Sequence, residues 1–368
     1  MSARQAGEGP APEDLRLGVP EGAEVPRALP DTAPTSSASS ATPHWRAEEE
    51  RGSIFWIKAM VIFATMFGRG PARLIVAFVA FYFTLFSANA RRAVHVFRRH
   101  LGEPTGFWAA YRQVLRFAQC SLDTLFFLQG KTKYFTVSRN GHHHLERLRE
   151  TKTGVILLGA HLGSFSAMRM QSAKESLPLH PVVYTKHAKR FNRVIEELDP
   201  GSMVSLIEMG EGGEIDFMLS IREKLEAGAM IAILGDRTQA GKKNVTVDFL
   251  GGKAEVPAGP YLLASMLRCP VYFTAGLYRG GNHYELFCIP FAERIDLPRG
   301  KREEGIQRYA QQYADQLAEF CRKAPDNWFN FYDFWVRSEK DAAPSAPATT
   351  PEEASEPRPD RPSPPAER

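Results

Sequence analysis

The sequence predicts an α/β fold with a central mixed, mostly parallel sheet that is flanked by helices and preceded by an N-terminal apolar helical anchor. Three observations support this prediction. From residue 154 onward, apolar runs alternate with stretches of helical length, as in proteins whose parallel strands are joined by helices. Residues 155–158 and 230–234 are continuously apolar, which is typical of strands buried on both faces. Residues 53–90 form two apolar segments around the basic turn GRGPAR.

Composition predicts that only the middle of the 368-residue chain folds. With 43% hydrophobic and 11% aromatic residues, the chain can bury a full core. Residues 1–43 and 339–368, however, are rich in Pro, Ala, Ser and Glu and lack aromatic side chains. Because such segments cannot bury enough apolar surface to offset the entropy of ordering, both are predicted to be disordered tails. This leaves residues 44–92 as a membrane-associated helical anchor and residues 93–338 as the α/β domain.

Net charge and cysteine content restrict the class of function. A net charge of +4 and a pI near 8.8 are mild, which disfavours nucleic-acid binding and leaves anionic lipid or an acidic carrier protein as partners. The four cysteines lack zinc-ligand or disulfide spacing and are predicted to be reduced core residues in the cytoplasm. His142, His143 and His144 are consecutive and cannot all face one ion, so no metal site is predicted. No N-terminal signal peptide is predicted.

The anchor region has the apolarity of a membrane-associated segment. Lys58 interrupts its first half, and the second half is strongly apolar only over residues 74–86, which is shorter than the ~20 residues needed to span a bilayer. An embedded or tethered hairpin is therefore favoured over one that crosses twice, and a buried helical pair within a soluble core is the alternative. Several basic residues would favour anionic headgroups on the cytoplasmic side: Lys58, Arg69, Arg73, Arg91 and Arg92.

Residues 91–150 are predicted to be helical, because their apolar positions follow helical spacing. Beyond them, the predicted strands are 154–160, 181–185, 202–208, 229–235, 244–250, 270–279 and 283–289. The predicted helices are 164–176, 187–198, 214–227, 258–268 and 302–323. The last two strands are joined through RGGNH and should form an antiparallel hairpin, so the sheet is expected to be mixed.

His161 stands at the end of the first buried strand, in the segment GVILLGAHLGSFSAMR. Gly159 and Gly163 allow a tight turn, and Ser164 can cap the helix that follows. A histidine between the carboxyl end of a strand and the N-terminus of a helix lies where open α/β sheets bind ligands. It can act there as a general base close to developing negative charge. The structural alternative is a packed, hydrogen-bonded histidine.

Polar residues follow a second buried strand in the same way. Asp236 and Arg237 come directly after residues 229–235, and charged groups at two strand ends favour a ligand site over a salt-bridged loop. The glycine-rich stretch VDFLGGKAEVPAG leads into the next helix, whose N-terminus could bind phosphate or shape an acyl slot.

Two further stretches are compatible with partner binding. A basic face of a predicted helix suits docking of an acidic carrier protein or its phosphopantetheine, and equally suits an ordinary solvated surface. Its residues are Lys186, Lys189, Arg190 and Arg193. Residues 327–335, NWFNFYDFW, carry six aromatic side chains. Aromatic residues at that density usually close a core, and could instead wall an acyl pocket or rest on a membrane interface.

Four motifs in this order, GAHLGSF, GDR, VDFLGGKAEVPAGPYLLA and PDNWFNFYDFW, resemble the lysophospholipid acyltransferase superfamily. Within it, the chain is similar to the lipid A biosynthesis lauroyl/myristoyl acyltransferase branch. The resemblance covers residues 45–337, and the combined order is more specific than any single motif. It implies a glycerolphosphate acyltransferase-like α/β domain behind an apolar anchor.

The resemblance also implies that a histidine acts as general base and that an acid, five positions later, orients its ring. His161 matches this pattern, but Ser166 occupies the acidic position, and a hydroxyl carries no charge to stabilise an imidazolium. Either another carboxylate, with Asp236 as the candidate, takes that role, or activity is reduced or lost. The resemblance assigns further residues to substrate binding: Gly163, Arg169, Arg237, Phe249, Gly251, Pro257 and Gly259.

Together these features predict a membrane-associated acyltransferase at the cytoplasmic face of the bacterial inner membrane. It would move an acyl group from acyl-carrier protein or acyl-coenzyme A to a lipid or glycolipid hydroxyl or amine, without cofactor or metal. Direct transfer without an acyl-enzyme is favoured, because GSFS does not match the G-x-S-x-G nucleophile elbow. The alternative is a catalytically impaired family member that binds the carrier or lipid as a partner subunit, which Ser166 would explain.

Overall fold

The computed structural model describes residues 54–183, 207–208, 213–238 and 242–336. The predicted tails, 1–43 and 339–368, lie outside these ranges, as does the predicted basic helix with Lys186, Lys189, Arg190 and Arg193. The described residues form nine strands: β1 Thr136–Asn140, β2 Val155–Gly159, β3 Leu179–Val183, β4 Ile207–Glu208, β5 Met230–Leu234, β6 Asn244–Phe249, β7 Gly252–Pro257, β8 Val271–Gly280 and β9 His283–Ala292.

The same residues form nine α-helices: α1 Ile54–Phe67, α2 Arg69–Phe86, α3 Ala88–Leu101, α4 Phe107–Leu128, α5 His142–Glu150, α6 Phe165–Lys174, α7 Gly213–Glu226, α8 Gly259–Leu267 and α9 Arg302–Lys323. Short 3-10 turns at Thr132–Tyr134 and Pro325–Asn327 follow α4 and α9.

Seven strands form one sheet in the order β1-β9-β8-β2-β5-β3-β4. All neighbours in it are parallel except β8 and β9, which form an antiparallel hairpin. The prediction of an α/β fold with a mixed, mostly parallel sheet flanked by helices is therefore confirmed. β2 lies between β8 and β5, and all five of its residues are buried. Its continuous apolar run is the consequence of burial on both faces.

The structure corrects the predicted elements at the edges of this sheet. Residues 136–140 form β1, which pairs with β9, and not part of a helix as predicted. The prediction missed this strand because TVSRN is mostly polar and lacks the apolar run by which the buried strands were recognised. β3 begins and ends two residues before the predicted 181–185. Of the predicted strand 202–208, residues 207–208 form β4, and the rest lies outside the described residues.

A second correction concerns the glycine-rich stretch after residue 244. β6 and β7 form a separate antiparallel ribbon, and β7 was not predicted. Phe249 pairs with Gly252, so Leu250 and Gly251 are the two-residue turn, with φ of 50° and 81°. A tight hairpin of this kind needs positive φ at both central positions, which glycine adopts without strain. Gly251 thus lies in a hairpin turn and Gly252 begins β7, so this stretch is not a loop that leads straight into a helix.

The N-terminal helices α1 and α2 form a hairpin that packs on α4. Buried residues of α2 follow one another at every fourth position and so lie on one face: Ala72, Val76, Ala80 and Thr84. The remaining surface of α2 exposes large apolar side chains, among them Leu74, Phe78, Val79, Tyr82, Leu85 and Phe86. Among the described helices, α2 alone has the length and apolarity to cross a membrane, a criterion that core helices of soluble proteins also meet. The membrane anchor stays a prediction, as does its boundary at residue 92, which lies within α3.

A buried ion pair joins α2, α4 and β9. Asp123 of α4 is fully buried and accepts hydrogen bonds from Nε and Nη2 of Arg69, at 2.6 and 2.7 Å. The hydroxyl of Tyr284 donates a third hydrogen bond to the same carboxylate at 2.7 Å. Removing one partner of a buried pair is strongly destabilising, because the other charge is left uncompensated. The pair therefore ties the start of α2 to the α/β domain.

We expect Asp123→Asn to lower the free energy of unfolding by about 3 kcal/mol, because Arg69 loses its counter-charge. Denaturant unfolding of the detergent-solubilised chain measures this loss. The matched control is Asp248→Asn, whose side chain is 68% exposed and pairs with Lys253 on the surface. It should cost less than about 1 kcal/mol. Equal losses in the two variants would show that the buried pair stabilises the fold no more than a surface pair does.

Candidate active site

The candidate site lies where β2 and β5 end side by side. The strands are parallel and pair Gly159 with Leu234, and the Gly235 amide continues the ladder by donating to the Gly159 carbonyl at 2.9 Å. Two residues beyond that pair, the strands carry His161 and Asp236. In adjacent parallel strands, residues that follow a paired position by the same number of residues lie next to each other. The strand pairing thus brings together the two polar residues that the sequence places at separate strand ends.

Asp236 holds His161 through two hydrogen bonds. Its Oδ1 lies 2.8 Å from ring Nδ1, and its Oδ2 accepts from the backbone amide of His161 at 3.0 Å. The carboxylate therefore fixes both the backbone and the ring of the histidine. Asp236 is completely buried, whereas the His161 side chain is 30% exposed. Within the described ranges no group hydrogen-bonds Nε2, which leaves this nitrogen for a ligand.

Asp236 is ionised at neutral pH, and this fixes the proton on the imidazole. Burial alone would raise the pKa of Asp236, but the attraction and hydrogen bonds of His161, with the charge of Arg237, outweigh burial and lower the pKa below its ordinary value of 3.8. An ionised carboxylate only accepts hydrogen bonds, so the proton of the neutral imidazole lies on Nδ1. Nε2 then carries the lone pair, as a general base requires.

Asn330 connects Asp236 with Arg237. Its Nδ2 donates to Asp236 Oδ2 at 3.2 Å, and its Oδ1 accepts from Arg237 Nε at 3.4 Å. Asn330 is 1% exposed, so its amide is held by these contacts and not by water. The sequence reasoning missed this residue. The available signal was a polar side chain inside an otherwise aromatic segment, where an amide is tolerated only with buried partners.

The segment that carries Asn330 runs along the backbone of the histidine. The Phe329 amide donates to the His161 carbonyl at 2.9 Å, and the Gly163 amide donates to the Asn327 carbonyl at 2.8 Å. The side chain of Asn327 accepts from the Tyr278 amide at 2.7 Å and donates to the Tyr278 carbonyl at 3.1 Å. Asn327, which the sequence reasoning also missed, therefore fastens this segment to β8.

Gly163 and Ser164 have structural roles that their positions explain. Gly163 has φ of 71°, and a Cβ there would lie 2.1 Å from the Gly276 carbonyl oxygen, so no other residue fits. Ser164 donates its amide to that same oxygen at 2.7 Å. Its side-chain oxygen accepts from the Ala167 amide at 3.1 Å, which confirms the predicted helix cap.

Two predicted site residues lie on α6. Ser166, at the position where the family resemblance expects an acid, is the second residue of the helix and is half-buried. The carboxylate on His161 Nδ1 comes instead from Asp236, 75 residues further along the chain. Arg169 lies one turn beyond Ser166 and is half-buried as well. Roles for Ser166 in catalysis and for Arg169 in substrate binding stay predictions.

The other predicted substrate-binding residues belong to the β6–β7 ribbon and the start of α8. Phe249 is 1% exposed and packs in the core, with its ring centroid 5.9 Å from that of Trp328 and 5.2 Å from that of Phe334. The remaining three lie at element ends, in the hairpin turn, at the end of β7 and at the start of α8: Gly251, Pro257 and Gly259. Their contacts with a substrate stay a prediction.

Within the described residues, His161 makes no hydrogen bond to a cysteine or serine side chain that could serve as a nucleophile. All four cysteines are buried and free. Burial, together with the negative charge of Asp236, raises the pKa of Cys321 well above its ordinary value, so that this thiol stays protonated. The Ser164 hydroxyl is engaged as the helix cap. Within the described part of the chain, no three His, Cys, Asp or Glu side chains are grouped as metal ligands would be.

We expect the lowered pKa of Asp236 to make the fold sensitive to acid. An acid whose pKa is lower in the folded state stabilises the fold above its ordinary pKa, and that stability is lost as the pH falls through the lowered pKa. Asp236→Asn should therefore reduce the free energy of unfolding by about 2 kcal/mol near neutral pH. The difference between wild type and variant should shrink as the pH falls below about 4. Urea unfolding across this range measures it, and a difference independent of pH would contradict the assignment.

The sequence that forms this site matches the model of a known family. The family model described as bacterial lipid A biosynthesis acyltransferase matches residues 122–337, which is more than half of the 368-residue chain. The match begins within α4 and contains both His161 and Asp236, whereas α1, α2 and α3 lie outside it. No match is found among curated proteins. The chain therefore belongs to the bacterial lipid A biosynthesis acyltransferase family.

Proposed function

We propose that this chain is a lipid acyltransferase in which His161 is the general base and Asp236 is the acid that orients it and stabilises its charged form. The observation that carries the proposal is the 2.8 Å contact between Asp236 Oδ1 and His161 Nδ1, which engages Nδ1 and leaves Nε2 of this partly exposed side chain without a hydrogen bond among the described residues. Membership of the family supports acyl transfer to a lipid as the class of reaction.

In the proposed reaction, an acceptor hydroxyl or amine gives its proton to Nε2 of His161 while its oxygen or nitrogen attacks the carbonyl carbon of an acyl thioester. The new carbon–oxygen or carbon–nitrogen bond forms, the carbon–sulfur bond breaks, and the proton passes from Nε2 to the leaving thiolate. Between these steps the imidazolium lies against the ionised carboxylate of Asp236 in a buried environment, where charge pairing is strong.

Arg237 is the proposed source of positive charge for the substrate. It follows Asp236 directly, and its Nε donates to Asn330 Oδ1. A guanidinium next to the acid of the dyad suits the oxyanion that develops on the thioester carbonyl, or an anionic group of the donor or acceptor. The proposal gives the dyad and this arginine separate tasks, proton transfer and charge stabilisation.

The proposed setting is the cytoplasmic face of the bacterial inner membrane. The exposed apolar surface of α2 supports contact with lipid, as does the membrane association typical of the family. Acyl-carrier protein or acyl-coenzyme A is the proposed donor, and a lipid or glycolipid hydroxyl or amine the acceptor. The proposed docking face for the carrier is the basic cluster of Lys186, Lys189, Arg190 and Arg193.

We expect His161→Ala to lower the rate of acyl transfer by roughly 10²–10⁴-fold, because no side chain then takes the proton from the attacking hydroxyl or amine. The assay follows a labelled acyl thioester into lipid product, with free acid measured separately. His143→Ala is the matched control, since this histidine is exposed on α5 and should leave the rate unchanged. Undiminished transfer by His161→Ala would disprove the mechanism, and free acid as the only wild-type product would indicate a hydrolase.

We expect Asp236→Asn to lower the rate by roughly 10²-fold or more, although the substitution nearly preserves the shape of the side chain. The donors His161 N and Asn330 Nδ2 both face the Oδ2 position, so the amide oxygen of the new side chain should take that place. Its NH₂ group then donates to Nδ1, which moves the ring proton to Nε2 and removes the base. The same transfer assay measures this change.

Ser166 separates this mechanism from the catalytically impaired alternative. If Asp236 is the acid of the dyad, Ser166→Ala should keep the transfer rate within about threefold of wild type. If the dyad has instead decayed at the position of Ser166, wild type should be nearly inactive and Ser166→Glu should gain activity. Robust wild-type transfer combined with a silent Ser166→Ala would remove the partner-subunit alternative.

A further inference from the structure

A cavity of about 690 Å³ opens between the α1–α2 turn, the C-terminal end of α4 and the β8–β9 turn. Its lining combines basic and apolar side chains: Met66, Phe67, Arg69, Arg73, Lys131 and Tyr134. None of these residues belongs to the dyad or to the proposed substrate-binding set. The cavity therefore needs an explanation of its own.

Cationic side chains converge on the β8–β9 turn beside this cavity. Arg69 donates to the Gly281 carbonyl at 2.7 Å, and Arg73 donates to the same oxygen and, at 2.6 Å, to the hydroxyl of Tyr278. The guanidinium carbon of Arg116 lies 5.1 Å from the centroid of the Tyr278 ring. The partners of Arg73 and Arg116 are thus neutral groups, and within the described residues neither forms a salt bridge.

The negative charge of Asp123 offsets one of these cations. Its carboxylate is fully buried, and its oxygens are occupied by Arg69 and Tyr284. Lys131 adds a further positive charge to the cavity wall. Its ammonium lies 5.6 Å from the centroid of the Phe126 ring and has no carboxylate partner in the described part of the chain. The cavity therefore carries excess positive charge that an anion would balance.

The apolar side of the lining continues into exposed helix surface. Met66 and Phe67, at the end of α1, are 72% and 60% exposed, and Leu74 and Phe78 of α2 are 62% and 68% exposed. A small soluble anion would gain nothing from these side chains. A membrane lipid, in contrast, carries a phosphate next to hydrocarbon chains. This matches basic side chains inside the cavity next to exposed apolar side chains of α1 and α2. Gly70 also lines the cavity, so the first turn of α2 adds the positive end of a helix dipole.

β8 connects this cavity with the candidate active site. Gly276 of β8 pairs with Gly163, two residues after His161, and the strand then continues to Gly280 next to the cavity. At ~3.3 Å per residue, the cavity lies roughly 15 Å further along the same end of the sheet. A lipid bound there would turn the end of the sheet that carries His161 towards the bilayer.

We propose that this cavity binds the phosphate headgroup of an anionic membrane lipid that is not a reactant and that orients the active site over the membrane. The proposal deepens the membrane association proposed above and rests on it. It assigns Arg73 and Lys131 to the headgroup, with Arg69 held in place by Asp123, and assigns the exposed apolar surface of α1 and α2 to the hydrocarbon chains.

The test compares binding of the full chain to vesicles of phosphatidylcholine with binding to vesicles that also contain phosphatidylglycerol, by co-sedimentation at one ionic strength. Wild type should bind the anionic vesicles more tightly. The double variant Arg73→Gln/Lys131→Gln should reduce this gain roughly tenfold, because each basic residue at the surface strengthens binding to anionic lipid several-fold. Its binding to phosphatidylcholine should stay within about twofold of wild type, since the apolar surface is unchanged.

The matched control removes the same charge elsewhere. Arg302→Gln/Arg308→Gln changes two exposed arginines of α9, outside the N-terminal helices, and should keep most of the gain from phosphatidylglycerol. Equal losses in the two double variants would overturn the site, because surface charge in general would then explain the binding. Displacement of phosphatidylglycerol by an equal amount of soluble glycerol phosphate would overturn the assignment to a lipid.

Failure of the site and failure of membrane association give different results. If wild type binds phosphatidylcholine vesicles but gains nothing from phosphatidylglycerol, the site is wrong and membrane association stands. If wild type binds neither kind of vesicle, both are wrong. Acyl transfer in detergent, measured separately, reports on the dyad of His161 and Asp236 in either case.

Discussion

The contact between His161 and Asp236 is the constraint on which the rest of the site depends. It exists because β2 and β5 are parallel neighbours in one register, so that both residues lie two steps beyond the pair of Gly159 and Leu234. A slip of one residue would turn the carboxylate away from the ring. Such a slip would also exchange side chains between the two buried faces of both strands, and the packing on each face makes the register costly to change. Core packing therefore sets the geometry of the dyad.

A buried carboxylate needs compensation, and the aromatic segment after α9 supplies much of it. Asn330 donates to Asp236, while Phe329 and Asn327 bond to the backbone on either side of Leu162. The surrounding rings exclude water, and exclusion of water strengthens the hydrogen bonds that remain. The aromatic side chains of this segment close the core, and its two asparagines hold the residues of the site. This explains why polar amides occur within a dense run of aromatic residues. Its contribution to catalysis is indirect, through the position of the acid.

The N-terminal helices are coupled to the same framework through charge. Arg69, at the start of α2, reaches Asp123 on α4, and Tyr284 of β9 completes that cluster. The β8–β9 hairpin thus contacts α2 at its turn and the segment beside His161 along its length. The proposed lipid site lies where the hairpin meets α2. In this arrangement the surface proposed to face the membrane and the proposed base are fixed to one antiparallel pair of strands.

The sequence alone determined the local features of this protein. Continuous apolar runs predicted β2 and β5, the position of Ser164 predicted its helix cap, and four ordered motifs predicted the family. It also marked His161 and Asp236 separately, each just after a buried strand. Local composition was not informative for β1, which is a mostly polar edge strand, or for β7, which begins at a glycine directly after a two-residue hairpin turn.

The tertiary structure decided which of these residues meet. β3 and β4 intervene in the chain between β2 and β5, yet β2 and β5 are neighbours in the sheet. Strand order follows from the packing of the whole core, which no local pattern contains. The family resemblance expected the acid at position 166, five residues from His161, where this chain has serine, and Asp236 was only a candidate replacement. Folding brings Asp236 to the ring from 75 residues away and Asn330 to that acid from 94 residues away. Periodicity and propensity act over a few residues, and a buried charge is partnered by whatever the fold places beside it.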